Sequence, residues 1–189
     1  MRHRYDTRGL ILARANAGEA NALVSVLTRD LGVVRARAQG TRRSGAKLAP
    51  ALATFAESEL TLVRGKEGWR ITGAVLVDPW FSRLSDRDAR ERAGRVGALV
   101  LRLVAGESPE GTLYPVLRAF FEALATLPAD TRDAAEVLAA LYVLAALGSD
   151  DSPLPDEHSL FASSAIARVG AQREAYVARV NRGIAASGL

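Results

Sequence analysis

Apolar and polar residues alternate in short runs over the first 80 positions of the chain and recur at helical spacing over the rest. Gly9 to Ala15 is apolar and partly alternating, with Leu10 and Leu12 facing one way and Ile11 and Ala13 the other. This predicts a strand that ends at the turn AGEAN, Ala17 to Asn21. Ala22 to Arg29 predicts a second strand, closed by Asp30 to Gly32. Val33 to Gln39 alternates cleanly: Val34, Ala36 and Ala38 form a core face, while Arg35, Arg37 and Gln39 form a face for solvent or a ligand. A loop containing Gly, Ser and Pro runs from Gly40 to Pro50, and Phe55 to Arg64 and Trp69 to Val77 then pair across RGKEG. Five such strands fit a small barrel, and the OB-fold is the five-stranded barrel that commonly binds oligonucleotides.

At Asp78-Pro79 the period changes. Ala89, Ala93, Val96, Val100, Leu103 and Val104 share one helical face, with Asp86 and Asp88 placed near the positive end of the helix dipole. Leu113, Val116, Leu117, Phe120, Phe121, Leu124 and Leu127 form a second stripe bounded by Pro109 and Pro128. Ala134 to Leu147 is apolar nearly all round, which predicts the central helix of a bundle. A polar linker, GSDDSPLPDEHS from Gly148 to Ser159, precedes two shorter helices around Leu160 to Val169 and Arg173 to Ser187. The expected fold is α+β: a five-stranded OB-fold barrel over residues 1–79, then an α-helical bundle domain over residues 80–189.

Composition narrows the function. The chain has 189 residues, 49% of them hydrophobic and 24% charged, as in an ordinary globular protein. No apolar run reaches the ~18 residues of a membrane span, and the N-terminus lacks a signal-peptide core, so a cytoplasmic location is expected. The absence of cysteine excludes disulfides and thiolate metal sites, and His3 and His158 are too few for a histidine-rich one. No metal and no cofactor is therefore expected.

Charge is uneven along the chain. Residues 1–80 carry 13 Lys and Arg against 7 Asp and Glu, whereas residues 81–189 carry 12 against 14. No acid occurs between Asp30 and Glu57, a stretch that holds Arg35, Arg37, Arg42, Arg43 and Lys47. Such asymmetry points to a polyanionic partner, usually nucleic acid. Of the 25 cations, 23 are Arg, which codon bias explains as well as selection for guanidinium chemistry does.

Catalytic readings fail on inventory. Two histidines, one near the N-terminus and one in a polar linker, cannot build a Ser-His-Asp triad with the groups around them. GTRRSGAK, Gly40 to Lys47, departs from the phosphate-binding loop in its spacing and has Leu48 where Ser or Thr would meet magnesium. Asp86, Asp88 and Glu91 read as charge complements of a helix start rather than metal ligands. The chain is expected to be no enzyme. The binding reading rests on Arg35, Arg37 and Gln39 along one strand face, followed by Arg42, Arg43 and Lys47 on the loop, with Arg64, Lys66 and Arg70 around the next hairpin. Sequence leaves open whether that hairpin lies near the loop, and a charged strand also serves simply to keep a sheet edge soluble. Tyr5, Phe55, Trp69, Trp80 and Phe81 are the aromatics available for stacking; most are expected inside, which favours backbone binding over base readout.

The order of these pieces resembles the N-terminal domain of the RecO recombination-mediator family. The resemblance covers a first strand, a Gly18-Glu19 turn, LVSVLTRDLG from Leu23, a basic strand ending at Gly40, the RRS and KLAPAL elements of the loop from Arg42, the pattern from Phe55 to Gly65, and a closing strand. Weaker likeness continues in LAALYVLAALG from Leu138 and VNRGIAASGL from Val180. It implies a non-catalytic protein with an OB-fold and a helical domain that binds single- and double-stranded DNA and anneals complementary strands. It also implies that RecR, and the C-terminal tail of single-strand binding protein, are partners in loading RecA during repair at the bacterial nucleoid. Arg35, Arg37, Arg42, Arg43 and Lys47 are the family-matched DNA surface; Arg64, Lys66 and Arg70 are added from charge and hairpin position. Many RecO proteins carry a four-cysteine zinc site where this chain has GSDDSPLPDEHS, so zinc is not expected here. The alternative reading is an OB-fold adaptor for RNA or for another protein.

Overall fold

A computed structural model describes residues 3–17, 21–39, 48–104, 106, 111–156 and 159–188. Five strands, β1 (His3–Asn16), β2 (Ala22–Thr28), β3 (Gly32–Ala38), β4 (Ala56–Gly65) and β5 (Gly68–Pro79), close a barrel in the order β1-β2-β3-β5-β4. Among the described residues six helices follow: α1 (Trp80–Arg83), α2 (Arg87–Leu103), α3 (Leu113–Thr126), α4 (Arg132–Ala146), α5 (Ser163–Ala171) and α6 (Arg173–Ala186). No helix among the described residues is long and apolar enough to cross a membrane. The chain forms two compact units, residues 1–83 with 104–114, and residues 84–103 with 115–189.

The barrel is the OB-fold. Its β1 begins six residues before the apolar run, because HRYDTR finds its reason for being a strand only in β4: Tyr5 pairs with Leu62 and Thr7 with Leu60. Polar positions between them are satisfied across the pair, where the Thr61 hydroxyl donates to Asp6 at 2.6 Å and Arg8 donates to Glu59 at 2.9 Å. A bulge at Leu12 breaks the expected alternation, since Ile11 pairs with Val26 and Ala13 with Ser25. Leu10, Ile11 and Leu12 are consequently all buried. Just before this bulge β1 is bonded to β2 on one side and β4 on the other. A Cβ at Gly9 would come within 2.5 Å of Val26 Cγ1, so only glycine fits there.

The barrel interior is filled by Ile11, Val24, Val34, Ala36, Ala38, Leu60, Leu62, Trp69 and Ile71, with Leu52 supplied by a 3-10 turn at Pro50–Leu52. Between the inward positions of β4, Glu57 is also buried, 1% exposed. It accepts hydrogen bonds from Trp80 Nε1 at 3.0 Å and from the Tyr114 hydroxyl at 2.6 Å. The unit therefore reaches past the Pro79 boundary drawn from sequence, because the donors to Glu57 lie beyond it.

In the second unit α4 is the central helix: Leu138 to Leu144 are buried without interruption, and α2, α5 and α6 pack around it. A Cβ at Gly183 would meet Leu144 Cδ1 at 2.8 Å, so glycine lets α6 approach α4 closely. Arginines tie the helices together. Asp86 accepts the Ala89 backbone N–H at 2.8 Å, capping α2, and also Arg132 Nη1 at 2.6 Å from the start of α4. These two bonds hold the Asp86 carboxyl below its ordinary range. Arg92 reaches Asp88, Asp133 and Glu136, and Arg173 bonds Asp133 at 2.5 Å, pulling that carboxyl down as well.

The described part of the linker between α4 and α5 is held by side chains of the helices. Arg179 donates to Asp150 at 2.6 Å and to the carbonyls of Ser152 at 2.6 Å and Pro153 at 2.9 Å. Arg168 takes the Pro155 carbonyl at 3.0 Å, and the Tyr142 hydroxyl takes that of Asp156 at 2.8 Å.

Two substitutions probe these arrangements. Glu57→Ala orphans two buried donors and is expected to cost about 3 kcal/mol in urea unfolding followed by tryptophan fluorescence. A loss no larger than a surface substitution's would contradict the role given to Glu57. Arg179→Ala breaks a nearly buried pair and is expected to cost about 3 kcal/mol, read from the helical circular dichroism signal. Arg179→Lys should recover only part of it, because an ammonium cannot span all three acceptors.

Candidate nucleic-acid interface

The third strand shows why its cations point outward. Val34, Ala36 and Ala38 are buried in the barrel, so the two-residue period leaves Arg35 and Arg37 exposed, with Gln39 exposed just beyond the strand end. On the β2 side, Arg35 lies opposite Ser25 and Arg37 opposite Leu23, which is itself 38% exposed.

Barrel closure brings the hairpin beside β3, while residues 40–47 of the loop lie outside the described residues. Strand β3 pairs with β5 in parallel: Ala36 with Trp69, Arg37 with Arg70, and Ala38 with Ile71. The apolar members of this ladder point inward together, and Arg37 and Arg70 therefore point outward together. Arg70 Nη2 donates to Gln39 Oε1 at 3.1 Å, fixing the guanidinium against the end of β3. Lys66 stands exposed in the turn between β4 and β5, and Arg64 places its guanidinium carbon 5.4 Å from the centre of the Trp69 ring.

An acid also enters this field: Glu67, in the same turn, lies 3.8 Å from Arg37 with both side chains mostly exposed. So loose and solvated an ion pair is a weak competitor for a phosphate. Of the eight cations expected to bind DNA, Arg35, Arg37, Arg64, Lys66 and Arg70 belong to β3 and the β4–β5 hairpin. Arg42, Arg43 and Lys47 lie outside the described residues.

Of the strand-end residues here, Gln39 was placed on the binding face from sequence, Tyr5 was named for stacking without a position, and Glu67 was not considered. Gln39 carried a signal, as the next outward position of the alternation. Tyr5 carried none, since its position depends on pairing with β4. Of the five aromatics considered for stacking, Phe55, Trp69 and Trp80 are buried, while Tyr5 is 36% and Phe81 49% exposed.

The groups weighed for catalysis have other occupations. Asp86 caps α2 and pairs with Arg132, Asp88 pairs with Arg92, and Glu91 with Arg87 at 2.6 Å. Among the described residues no group of three or more His, Asp or Glu is gathered in a way that could hold a metal ion. His3 is exposed at the start of β1, and His158 lies outside the described residues.

An outward row of guanidiniums on β3 and the adjoining hairpin occupies the part of an OB-fold where oligonucleotides and oligosaccharides bind. Comparison with known proteins agrees with this architecture. Residues 1–80 match the family described as "Recombination protein O N terminal". The chain is 30% identical over 122 residues to the DNA repair protein RecO of Dehalococcoides mccartyi, covering 65% of this chain and 48% of the relative. It is 30% identical over 144 residues to the DNA repair protein RecO of Gloeobacter violaceus, covering 76% and 55%, and 27% identical over 128 residues to that of a Nostoc species, covering 68% and 43%. The chain thus spans about half the length of the curated relatives it matches. The N-terminal OB-fold, residues 1–80, is thus a domain of the RecO family.

Proposed function

We propose that the chain is a non-catalytic DNA-binding protein of recombinational repair. It binds single- and double-stranded DNA through Arg35, Arg37, Arg42, Arg43, Lys47, Arg64, Lys66 and Arg70, and anneals complementary strands. With RecR it helps load RecA onto strands coated by single-strand binding protein, whose C-terminal tail is a second partner. It works in the cytoplasm, at the nucleoid, without a cofactor, and residues 1–79 carry the DNA contacts.

The observation that carries the reading is the parallel register of β3 and β5, which puts Arg37 beside Arg70 on the outer face of the barrel. Support also comes from the acid-free run between Asp30 and Glu57 and from the names of the relatives. Cations spaced along a strand and a hairpin neutralise phosphates without reading bases. Two strands held this way repel each other less, and their base edges stay free to pair, which is what annealing requires.

A titration of single-stranded DNA over a salt series tests the reading. If all eight of these cations each neutralise one phosphate of a single strand, log affinity falls against log salt with a slope of about −5.6. Arg37→Ala combined with Arg70→Ala should weaken binding and flatten the slope by about 1.4. An unchanged slope would remove these residues from the interface. Tighter binding to RNA than to DNA of the same sequence, with no acceleration of annealing, would favour the adaptor reading instead.

A further inference from the structure

The row of inward positions that lines the barrel does not end in aliphatic side chains. Passing along it, Leu62 and Ile71 are buried, and Trp69 follows at 7% exposure. The row closes with Tyr5 of β1, directly opposite Leu62. Tyr5 occupies an inward position by register, yet 36% of it remains exposed. Its ring meets Trp69 edge to face, with centroids 5.1 Å apart and planes at 71°. Trp69 in turn has Arg64 over its ring. A half-open phenol is thus braced by a buried indole, at the same end of the barrel as Arg37, Arg70 and Lys66.

We propose that Tyr5 is a stacking site for one unpaired nucleobase, at the end of the cationic track formed by β3 and the β4–β5 hairpin. This rests on the reading that the track holds the phosphate backbone. The chemistry is general: an exposed aromatic ring beside phosphate-binding cations takes the face of any base, with little regard to sequence. A base must leave its own stack to reach such a ring. Tyr5 therefore adds to the binding of single strands and nothing to the binding of a duplex, whose bases stay paired and stacked. The cations serve both, so the ring and not the charge sets the preference for unpaired DNA. The contact belongs to the ring, and the phenolic hydroxyl is dispensable.

The test is a set of titrations of the full chain with a thymine oligonucleotide and with a duplex of equal length. Tyr5→Leu is expected to weaken single-strand binding by about tenfold and to leave duplex binding unchanged. Its salt slope should match that of the unaltered chain, because no phosphate contact is lost, and Tyr5→Phe should bind as the unaltered chain does. Equal weakening of both ligands, or of neither, would overturn the stacking assignment. Arg37→Ala with Arg70→Ala separates the two levels of the argument. If that pair flattens the salt slope while Tyr5→Leu has no effect, the phosphate track stands and the base site falls. If the unaltered chain binds neither ligand, both fall. Photocrosslinking of an iodouracil-substituted single strand to the unaltered chain needs no substitution: a crosslink at Tyr5 supports the site, and crosslinks only elsewhere contradict it.

Discussion

Three parallel residue pairs close the barrel, and the rest of the first unit is arranged around them. Among the described residues, strands β3 and β5 pair at Ala36–Trp69, Arg37–Arg70 and Ala38–Ile71. Parallel pairing has no hairpin to enforce it, so its register must come from side-chain packing. Small alanines on β3 face the large Trp69 and Ile71 on β5, and a slip of one residue would turn Trp69 out to water and a guanidinium into the core. The same constraint that keeps the core dry therefore sets Arg37 beside Arg70. Packing and function are two sides of one ladder.

Buried polar groups follow a second rule, in which most are partnered, Arg132 Nε being the exception among the described residues. Glu57 takes its hydrogen bonds from Trp80 and Tyr114, and Asp150 takes one from Arg179. Arginine does most of this work in the helical unit, where Arg92 and Arg179 each reach several acceptors at once. The planar guanidinium suits such bridging better than an ammonium. The arginines thus take two kinds of place: staples between the helices of the second unit, and an outward row on the first that we propose meets phosphate. A count of charges cannot separate them, because only burial and partners do.

How much of this was legible beforehand depended on how local its cause was. The outward cations of β3 could be read directly, since one buried face imposes a period of two. The central position of α4 could be read from an apolar run with no polar face. The first half of β1 could not, because Arg4, Asp6 and Arg8 look like a disordered lead until Thr61 and Glu59 are found opposite. The approach of the β4–β5 hairpin to β3 was also hidden, as parallel pairing across some thirty residues leaves no local signature. The position of Tyr5 was hidden for the same reason: it is decided by Leu62 and Trp69, far along the chain. The family likeness supplied the word DNA, which neither charge nor periodicity contains.

Hydrogen–deuterium exchange, with and without a single-stranded oligonucleotide, tests the central claim most directly, since it maps contact without altering a residue. The account expects protection to concentrate in residues 33–39 and 63–72, where the outward cations of β3 and the β4–β5 hairpin lie, and to fade as salt is raised. Protection confined to the helices of the second unit, with the β3 and hairpin amides unchanged, would contradict it.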